Sequence, residues 1–311
     1  MIPFFGAAEV ARLVPPTEAV SAIEAALRGG LDPAAGVARA SVPLPAGELL
    51  LMPAWSASYA GVKLAAVAPG NAALGLPRIN AVYVLFDGAT LRPVAFLDGT
   101  ALTTLRTPAV SVAAVRGLLG PRRLRVVVFG AGPQGTGHIA TLGAVAALST
   151  VDVVVRSPDA VNRDALLVAG GPPVRVLRAA SAEVPEALGA ADVVVCATTA
   201  RSALFDSTLL SERAIVLAVG SHEPDAREVD AALCRRATVI VEDVATALRE
   251  CGDVVLAIEE GALTPDRLVP MRDVVRGITA VGGGPVLFKG SGMAWQDLVV
   301  AEAVLSRSAA A

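Results

Sequence analysis

The sequence predicts an α/β protein with two domains, one built on a doubly wound parallel sheet and one of the α+β type. Three observations lead to this expectation. Short β-branched runs recur in the middle of the chain, separated by helix-compatible stretches of roughly 10–15 residues, as in strands joined by crossover helices. These runs are continuously apolar, which is typical of a parallel sheet covered on both faces. A glycine-rich turn follows directly after the first of them.

The parallel-sheet domain is predicted over residues 119–287. Its strands are expected at 125–129, 151–155, 174–177, 192–196, 214–219 and 238–241. Helices are expected from the glycine-rich turn to about Ala147, at Pro158–Val168 and at Ser181–Leu188. The alternation of the two kinds of segment predicts a doubly wound topology.

Residues 1–118, together with 288–311, are assigned to the α+β domain. Its predicted strands, at 48–52, 61–64 and 81–86, are separated by Pro and Gly, and a hairpin turn at Asp87-Gly88 leads to a further strand at 93–97. Thr107 and Pro108 suit the N-cap and the first position of a helix. A last helix at about Ala294–Ser306 is expected to pack back onto this domain.

Composition excludes several classes of protein. No stretch of the 311 residues reaches the roughly 18 uninterrupted apolar residues of a membrane span, and the N-terminus has no secretory pattern, so a cytoplasmic protein is expected. The formal charge of −3 argues against nucleic acid or an anionic membrane as partner. Three widely spaced cysteines and two histidines predict neither a disulfide framework nor a metal site.

The glycine-rich turn predicts a dinucleotide site. Gly130, Gly132 and Gly135 have the GxGxxG spacing, with Pro133 and Gln134 between the last two. The first glycine permits the tight turn, the second admits the pyrophosphate, and the third lets the helix pack on the strand. Phosphates would then lie at the N-terminus of the following helix. This is the expectation for a Rossmann-type domain.

The choice of nucleotide depends on the end of the second strand. An Asp or Glu that binds the ribose 2′-hydroxyl is usual there in NAD-dependent proteins. Here the residues are Arg156 and Ser157, which suit a 2′-phosphate, so NADP(H) is favoured and NAD(H) remains possible. The alternative is that Arg156 is simply a solvated charge.

Three cations in the first domain are candidates for binding an anion. Lys63 interrupts an apolar strand, Arg106 comes just before Pro108, and Arg39 precedes an extended segment. A buried lysine needs a partner, and arginine binds a carboxylate in bidentate fashion. The residues alone leave open whether the three converge on a ligand or are separate surface or ion-paired cations.

The chain resembles the ornithine cyclodeaminase/mu-crystallin family over nearly its whole length. The stretches that carry the resemblance are Arg39, Leu51-Met52-Pro53, Gly61-Val62-Lys63, Pro69-Gly70-Asn71, Leu85-Phe86-Asp87, Leu102 to Thr107, the glycine turn, Ala197-Thr198-Thr199, Ala218 to Glu228, Glu242-Asp243, Gly252-Asp253 and Phe288 to Gly292. Their order and spacing together are specific.

The resemblance implies a homodimer whose first domain, with the C-terminal helix, forms the substrate and dimerisation domain. It implies that Arg39, Lys63 and Arg106 bind a substrate carboxylate. Cofactor contacts are expected at the glycine turn and at further positions along the matching stretches: Arg106, Thr107, Arg156, Ser157, Thr198, Thr199, Val219, Gly220, Ser221 and Lys289.

Departures from the family pattern bear on the substrate. Ornithine cyclodeaminases carry a Glu and an Asp where this chain has Leu50 and His222, so both carboxylates that would bind the side-chain amine of ornithine are missing. Arg78, Pro108 and Gly290 also replace the family's threonine, alanine and serine. The segment around His222 is similar to that of the imine-reducing branch of the family.

The resulting expectation is an NAD(P)H-dependent oxidoreductase that reduces a small imino acid such as pyrroline-2-carboxylate. His222, with an ordinary pKa of about 6.5, or Lys63, if desolvated, would supply the proton. Two alternatives stay open. One is NAD-dependent ornithine cyclodeamination to proline and ammonia, and the other is an NADPH-dependent small-molecule binding protein, a role found in the same family.

Overall fold

The computed structural model describes residues 1–167 and 170–310, and the chain divides into two units. The first unit comprises Met1–Val110 with Met293–Ala311, and the second comprises Ser111–Gly292. The borders lie a few residues from those predicted at 118/119 and 287/288. The later border differs because Phe288 and Lys289 belong to a strand that pairs inside the parallel sheet.

The described residues form strands and α-helices as follows. The strands are β1 Phe4–Phe5, β2 Ala40–Leu44, β3 Gly47–Trp55, β4 Tyr59–Val67, β5 Ile79–Asp87, β6 Pro93–Asp98, β7 Leu124–Phe129, β8 Leu148–Val155, β9 Val174–Arg178, β10 Val193–Cys196, β11 Ile215–Ala218, β12 Thr238–Val241, β13 Leu268–Pro270 and β14 Val286–Lys289. The helices are α1 Ala7–Leu13, α2 Pro16–Arg28, α3 Gly99–Leu119, α4 Pro133–Val145, α5 Glu183–Ala190, α6 Ala231–Arg236, α7 Val244–Glu250, α8 Gly252–Glu259, α9 Met271–Val275 and α10 Ala294–Ala310.

The second unit contains a parallel sheet of eight strands in the order β13-β12-β14-β11-β10-β7-β8-β9. Its six predicted strands are all present and their side chains are largely buried, so the predicted fold class is confirmed. β13 and β14, of three and four residues, were not predicted. The sheet extends in both directions from β7, and β10 and β8 are its two neighbours. A ligand of such a sheet binds outside the carboxyl ends at this switch point.

The first unit contains a six-stranded sheet in the order β1-β6-β5-β4-β3-β2, antiparallel except for the β1–β6 pair. On its buried face Met52, Lys63, Tyr83 and Leu97 lie opposite one another on adjacent strands. Helix α10 packs against α2, β3 and β4. The expectation that the last helix returns to this unit is therefore confirmed, and a lysine lies on the face that the helix covers.

Two helix predictions were wrong. The helix expected to begin near Pro108 begins at Gly99, because the Asp98 carboxylate accepts hydrogen bonds from the N–H groups of Thr100 and Ala101 at 2.9 Å. Pro108 lies inside that helix. Neither this helix nor any other in the described ranges is long and apolar enough to cross a membrane.

The helix expected at Pro158–Val168 is replaced by two 3-10 turns, Pro158–Ala160 and Asp164–Leu166. The side chain of Asn162 accepts from the N–H of Asp164 at 3.1 Å and so starts a new turn instead of continuing the first. The end of the predicted helix, Val168, lies outside the described residues.

Candidate functional site

A buried ion cluster lies on the covered face of the sheet in the first unit. Lys63 Nζ is 2.8 Å from Oδ2 of Asp297 and 3.1 Å from Oγ1 of Thr103. Arg106 donates from Nε to Asp297 Oδ1 at 3.3 Å and from Nη1 to Gln296 Oε1 at 2.6 Å. Lys63 is 2% exposed and Asp297 0% exposed, so these charges are almost entirely removed from water.

Arg39 is close enough for its charge to act on Lys63. Burial lowers the pKa of Lys63 from 10.5 to about 8, against the opposing effect of Asp297, and the charges of Arg106 and Arg39 lower it further. The three cations predicted from the sequence are thus close enough to act on one another. Lys63 and Arg106 are buried and both are paired with Asp297, so of the alternatives to a shared ligand site they fit ion-paired cations and not surface ones.

The cluster has donors left for an anion. Lys63 uses two of its three N–H bonds, and Nη2 of Arg106 makes no hydrogen bond within the described chain. Lys63 and Arg106, both buried, share the single carboxylate of Asp297. Because an excess of buried positive charge is costly, a bound carboxylate would stabilise the arrangement.

The glycine turn in the second unit has the geometry of a pyrophosphate site. Gly130 has φ of +102°, and a Cβ there would lie 2.5 Å from the carbonyl oxygen of Ala197. A Cβ on Gly135 would lie 2.0 Å from the carbonyl oxygen of Gly130. A Cβ on Gly132 would meet nothing within 4 Å, and Gly132 is the N-cap of α4, with Pro133 and Gln134 in its first turn. Two glycines therefore serve the protein's own packing, while the middle one leaves open space at a helix N-terminus that fits a dinucleotide.

Glu228 joins the loops after β10 and β11. Its Oε1 accepts from the backbone N–H and hydroxyl of Thr198 at 2.7 and 2.8 Å, and its Oε2 accepts from Gly220 N at 2.7 Å. The side chain is fully buried, and burial raises the pKa of this carboxyl. Its contacts fix two of the segments predicted to touch the cofactor.

Lys289 supports the loops at the carboxyl edge of the parallel sheet. Its Nζ is 3.0 Å from Asp253 Oδ2 and donates to the carbonyl oxygen of Ser221 at 2.7 Å. Although burial acts to lower it, the pKa of Lys289 lies above its ordinary value because of Asp253. Asp253 Oδ1 in turn accepts from the N–H groups of Glu228 and Val229 at 2.7 and 2.9 Å. Lys289 thus holds the loop that carries Ser221.

The end of β8 is basic and exposed. Arg156 and Ser157 both point into solvent there, and Arg178, at the end of neighbouring β9, donates to the carbonyl oxygen of Arg156 at 3.1 Å. Asp159 lies 3.9 Å from Arg178 and is itself exposed. Two arginines thus lie at adjacent strand ends, with no carboxylate at the end of β8 itself.

The other predicted positions differ in exposure. His222 and Thr199 are exposed, Val219 and Thr107 are half-buried, and Ser221 is buried. Val219 continues the strand pairing, since its N–H donates to Cys196 O at 2.9 Å.

His138 is a buried residue with a structural role. Its ring nitrogens lie 2.7 Å from Gln134 O and 3.0 Å from Ser111 Oγ, and burial lowers its pKa to about 4. A histidine held neutral in this way packs the first turn of α4 against α3, which fixes the glycine turn.

Sequence reasoning missed Asp297, Gln296, Asp253 and the bridging role of Glu228. A signal for two of them exists in the sequence, because Gln296 and Asp297 interrupt the apolar face of the last helix, between Trp295 and Leu298. A polar pair on a face that must be buried predicts a buried partner of opposite charge.

The open turn before α4, the switch point beside it and the parallel sheet define a dinucleotide-binding α/β protein. The sequence profile of the ornithine cyclodeaminase/mu-crystallin family matches residues 6–311. The chain belongs to the ornithine cyclodeaminase/mu-crystallin family, as the resemblance indicated.

Three known proteins are similar to most of the chain. The Δ1-pyrroline-2-carboxylate/Δ1-piperideine-2-carboxylate reductase of Azospirillum brasilense is 33% identical over 303 residues, which are 96% of this chain and 93% of the relative. An archaeal alanine dehydrogenase dimer with bound NAD matches with a TM-score of 0.84 at 25% identity, over 99% of this chain and 96% of that one. The Thermococcus litoralis Δ1-pyrroline-2-carboxylate reductase in complex with NADH and L-proline has the same fold, with a TM-score of 0.85 at 23% identity over 100% and 98% of the chains. These similarities confirm the expected class, an NAD(P)-dependent oxidoreductase of this family.

The glycine turn gives a matched pair of variants. Gly132→Ala should leave the melting temperature unchanged and weaken NADPH binding by about 10-fold or more, because the new methyl group enters the space left for the phosphates. Gly135→Ala should lower the melting temperature without nucleotide, because its methyl group would overlap the Gly130 carbonyl. Thermal unfolding and NADPH fluorescence titration measure both. Equal NADPH affinity of the Gly132→Ala and unmodified proteins would contradict this assignment.

Proposed function

We propose that this protein is an NAD(P)H-dependent reductase of small α-imino acids such as Δ1-pyrroline-2-carboxylate. The observation that carries the proposal is the buried pair of Lys63 and Arg106, two cations that share the carboxylate of Asp297 and keep unused donors. Arg39 is close enough to act on Lys63. The pyrroline- and piperideine-carboxylate reductase from Azospirillum brasilense, 33% identical, supports the same substrate class.

The substrate carboxylate is assigned to the cations of the first unit. Arg106 offers Nη2, Lys63 offers its third N–H, and Arg39 adds positive charge. Charge-assisted hydrogen bonds of this kind are about twice as strong as neutral ones, and burial strengthens them further. The carboxylate is thereby fixed, which orients the attached imine carbon and nitrogen.

Reduction of an imine adds a hydride to carbon and a proton to nitrogen. A reduced nicotinamide supplies the hydride when it is bound. Lys63 is the proposed source of the proton, because its pKa of about 8 leaves it protonated near neutrality yet a much better acid than an ordinary lysine. His222 remains the alternative donor, and its exposed position at the end of β11 makes it second choice.

The surroundings of Lys63 argue against ornithine as substrate. Leu50 lies on the same face of the sheet as Lys63, opposite Ala65 on the adjoining strand. An apolar pair at that place cannot compensate the charge of a second amine. Asp297, the acid nearest to Lys63, is already engaged by Lys63 and Arg106. A substrate with an uncharged side chain or ring therefore fits better.

NADP(H) is the proposed nucleotide, with NAD(H) as the alternative. The support is Arg156 with Ser157 at the end of β8 and Arg178 beside them, in place of a carboxylate for the ribose. The archaeal alanine dehydrogenase of the same fold binds NAD, which supports the alternative.

A homodimer is part of the proposal. The face of the first sheet opposite Lys63 carries Leu51, Val62, Leu64 and Val84, all apolar and only partly buried. A sheet face of this kind is typical of an interface between subunits. The alanine dehydrogenase with the same fold is a dimer, which supports a second copy of this chain as the partner.

The substrate class is tested by two incubations of the purified protein. With Δ1-pyrroline-2-carboxylate and NADPH we expect NADPH oxidation and proline, and with L-ornithine and NAD we expect no ammonia. Lys63→Met should lower kcat/KM for the imine by about 100-fold or more, because both a carboxylate contact and the proton donor are lost.

The matched control is Arg12→Met, which removes an exposed cation at the end of α1 and should leave kcat/KM unchanged. Ammonia and proline from ornithine would overturn the proposal in favour of cyclodeamination. NADPH binding with no turnover of any imine would overturn it in favour of a binding protein.

Nucleotide choice is tested at Arg156. Arg156→Ala should reduce the preference for NADPH over NADH by about 10-fold or more, since a charge-assisted contact with the 2′-phosphate is lost. Arg163→Ala, a nearby exposed arginine, is the control and should leave the ratio unchanged. The measurement is kcat/KM with each nucleotide. A preference for NADH in the unmodified protein would contradict the assignment.

A further inference from the structure

Asp297 is fully buried and contacts Lys63 and Arg106, the two buried cations to which we assign the substrate carboxylate. Its two oxygens are divided between them, Oδ2 at 2.8 Å from Lys63 Nζ and Oδ1 at 3.3 Å from Arg106 Nε. The preceding residue, Gln296, accepts from Nη1 of the same arginine at 2.6 Å. Both come from the first turn of α10, so the last helix of the chain reaches into the cluster.

We propose that Asp297 is a positioning residue for imine reduction, which keeps Lys63 protonated and, with Gln296, holds Arg106 so that Nη2 remains for the substrate carboxylate. The inference rests on the proposed function, because it takes the roles of Lys63 and Arg106 from there. Asp297 itself does not touch the substrate, since its two oxygens are engaged by the cations.

The groups around Lys63 explain why it needs this partner. Arg106 and Thr103 face it from α3, Tyr83 lies opposite on β5, Arg39 acts from the segment before β2, and Met52 on β3 is apolar. α10 carries two acids in this region, and Asp297 contacts Lys63 whereas Glu302 accepts from Ser56. Without Asp297 a buried ammonium would lie beside two guanidinium groups, and the ammonium would lose its proton.

The direction of the effect on activity follows from this charge balance. The pKa of Lys63, about 8, already includes the raising effect of Asp297 against burial. Replacing the carboxylate by a neutral amide must therefore lower that pKa. The protonated form of Lys63 is the one that binds the carboxylate and donates the proton, so kcat/KM should decline as pH rises through about 8. In the variant the midpoint of this decline should move to lower pH.

The protonation of Lys63 can be followed directly by NMR, because the sequence contains two lysines, Lys63 and Lys289. Both are buried and each is paired with an aspartate. Lys289, held by Asp253 with its pKa above the ordinary value, is an internal reference that stays protonated over the working range. Protein labelled with 13C- and 15N-lysine should give two side-chain signals, and the one absent from Lys63→Arg belongs to Lys63.

The experiment compares the unmodified protein with Asp297→Asn by NMR titration and by the pH profile of kcat/KM. We expect the Lys63 midpoint to fall by about one pH unit or more in Asp297→Asn, the activity profile to shift in the same direction, and the Lys289 signal not to titrate. Glu302→Gln, on the same helix and hydrogen-bonded to Ser56, is the control and should leave the Lys63 midpoint unchanged.

An unshifted Lys63 midpoint, or a loss of activity that is equal at every pH, would overturn the role of Asp297. If Asp297→Asn fails to fold, the same replacement in an Arg106→Gln background removes one charge of each sign and should still lower the midpoint relative to Arg106→Gln alone. A shifted midpoint in a protein that turns over no imine would overturn the proposed function while leaving the control of Lys63 by Asp297 intact.

Discussion

Burying an ammonium or guanidinium group costs several kcal/mol unless an anion and further hydrogen bonds compensate it. Both lysines of this protein are buried, and each has an aspartate at hydrogen-bond distance. Lys63 with Asp297 organises the covered face of the antiparallel sheet, and Lys289 with Asp253 organises the carboxyl edge of the parallel sheet. The difference between them is the charge balance. Lys289 is neighboured by Asp253 and Glu228, whereas Lys63 is neighboured by two arginines.

That difference separates a supporting lysine from the one that we propose as proton donor. Negative charge around Lys289 holds its pKa above the ordinary value, and this side chain fixes the loop at Ser221. Burial, together with the charges of Arg106 and Arg39, lowers the pKa of Lys63 against the effect of Asp297. A pKa moved towards neutrality by burial and like charge is a property of catalytic groups, although structural ion networks also produce it. Each cluster pairs a lysine with an aspartate, and the two differ in the charge of the remaining neighbours.

The sequence predicted the parallel sheet well because its strands are continuous β-branched runs, and it predicted the glycine turn because that spacing has a steric cause. It also named Arg39, Lys63 and Arg106, through family resemblance rather than through spacing. It could not show that Asp297 pairs with Lys63, because an acid 234 positions after Lys63 is brought to it by the packing of α10 on β4. The contacts of Glu228 and Asp253 were not predicted for the same reason, since their partners are distant in sequence or lie in other loops. The predicted helix ends were wrong where a capping side chain sets the boundary, as at Asp98 and Asn162.

The central claim is that the first-unit cations hold a substrate carboxylate. Calorimetric titration of the NADPH-loaded protein with pyrrole-2-carboxylate, a planar analogue of the imine, tests it against the neutral pyrrole-2-carboxamide. We expect the carboxylate to bind at least about 10-fold more tightly and Lys63→Met to abolish this difference, because the negative charge is bound by buried cations. Equal affinity for the acid and the amide, or a difference that survives the loss of Lys63, would contradict it.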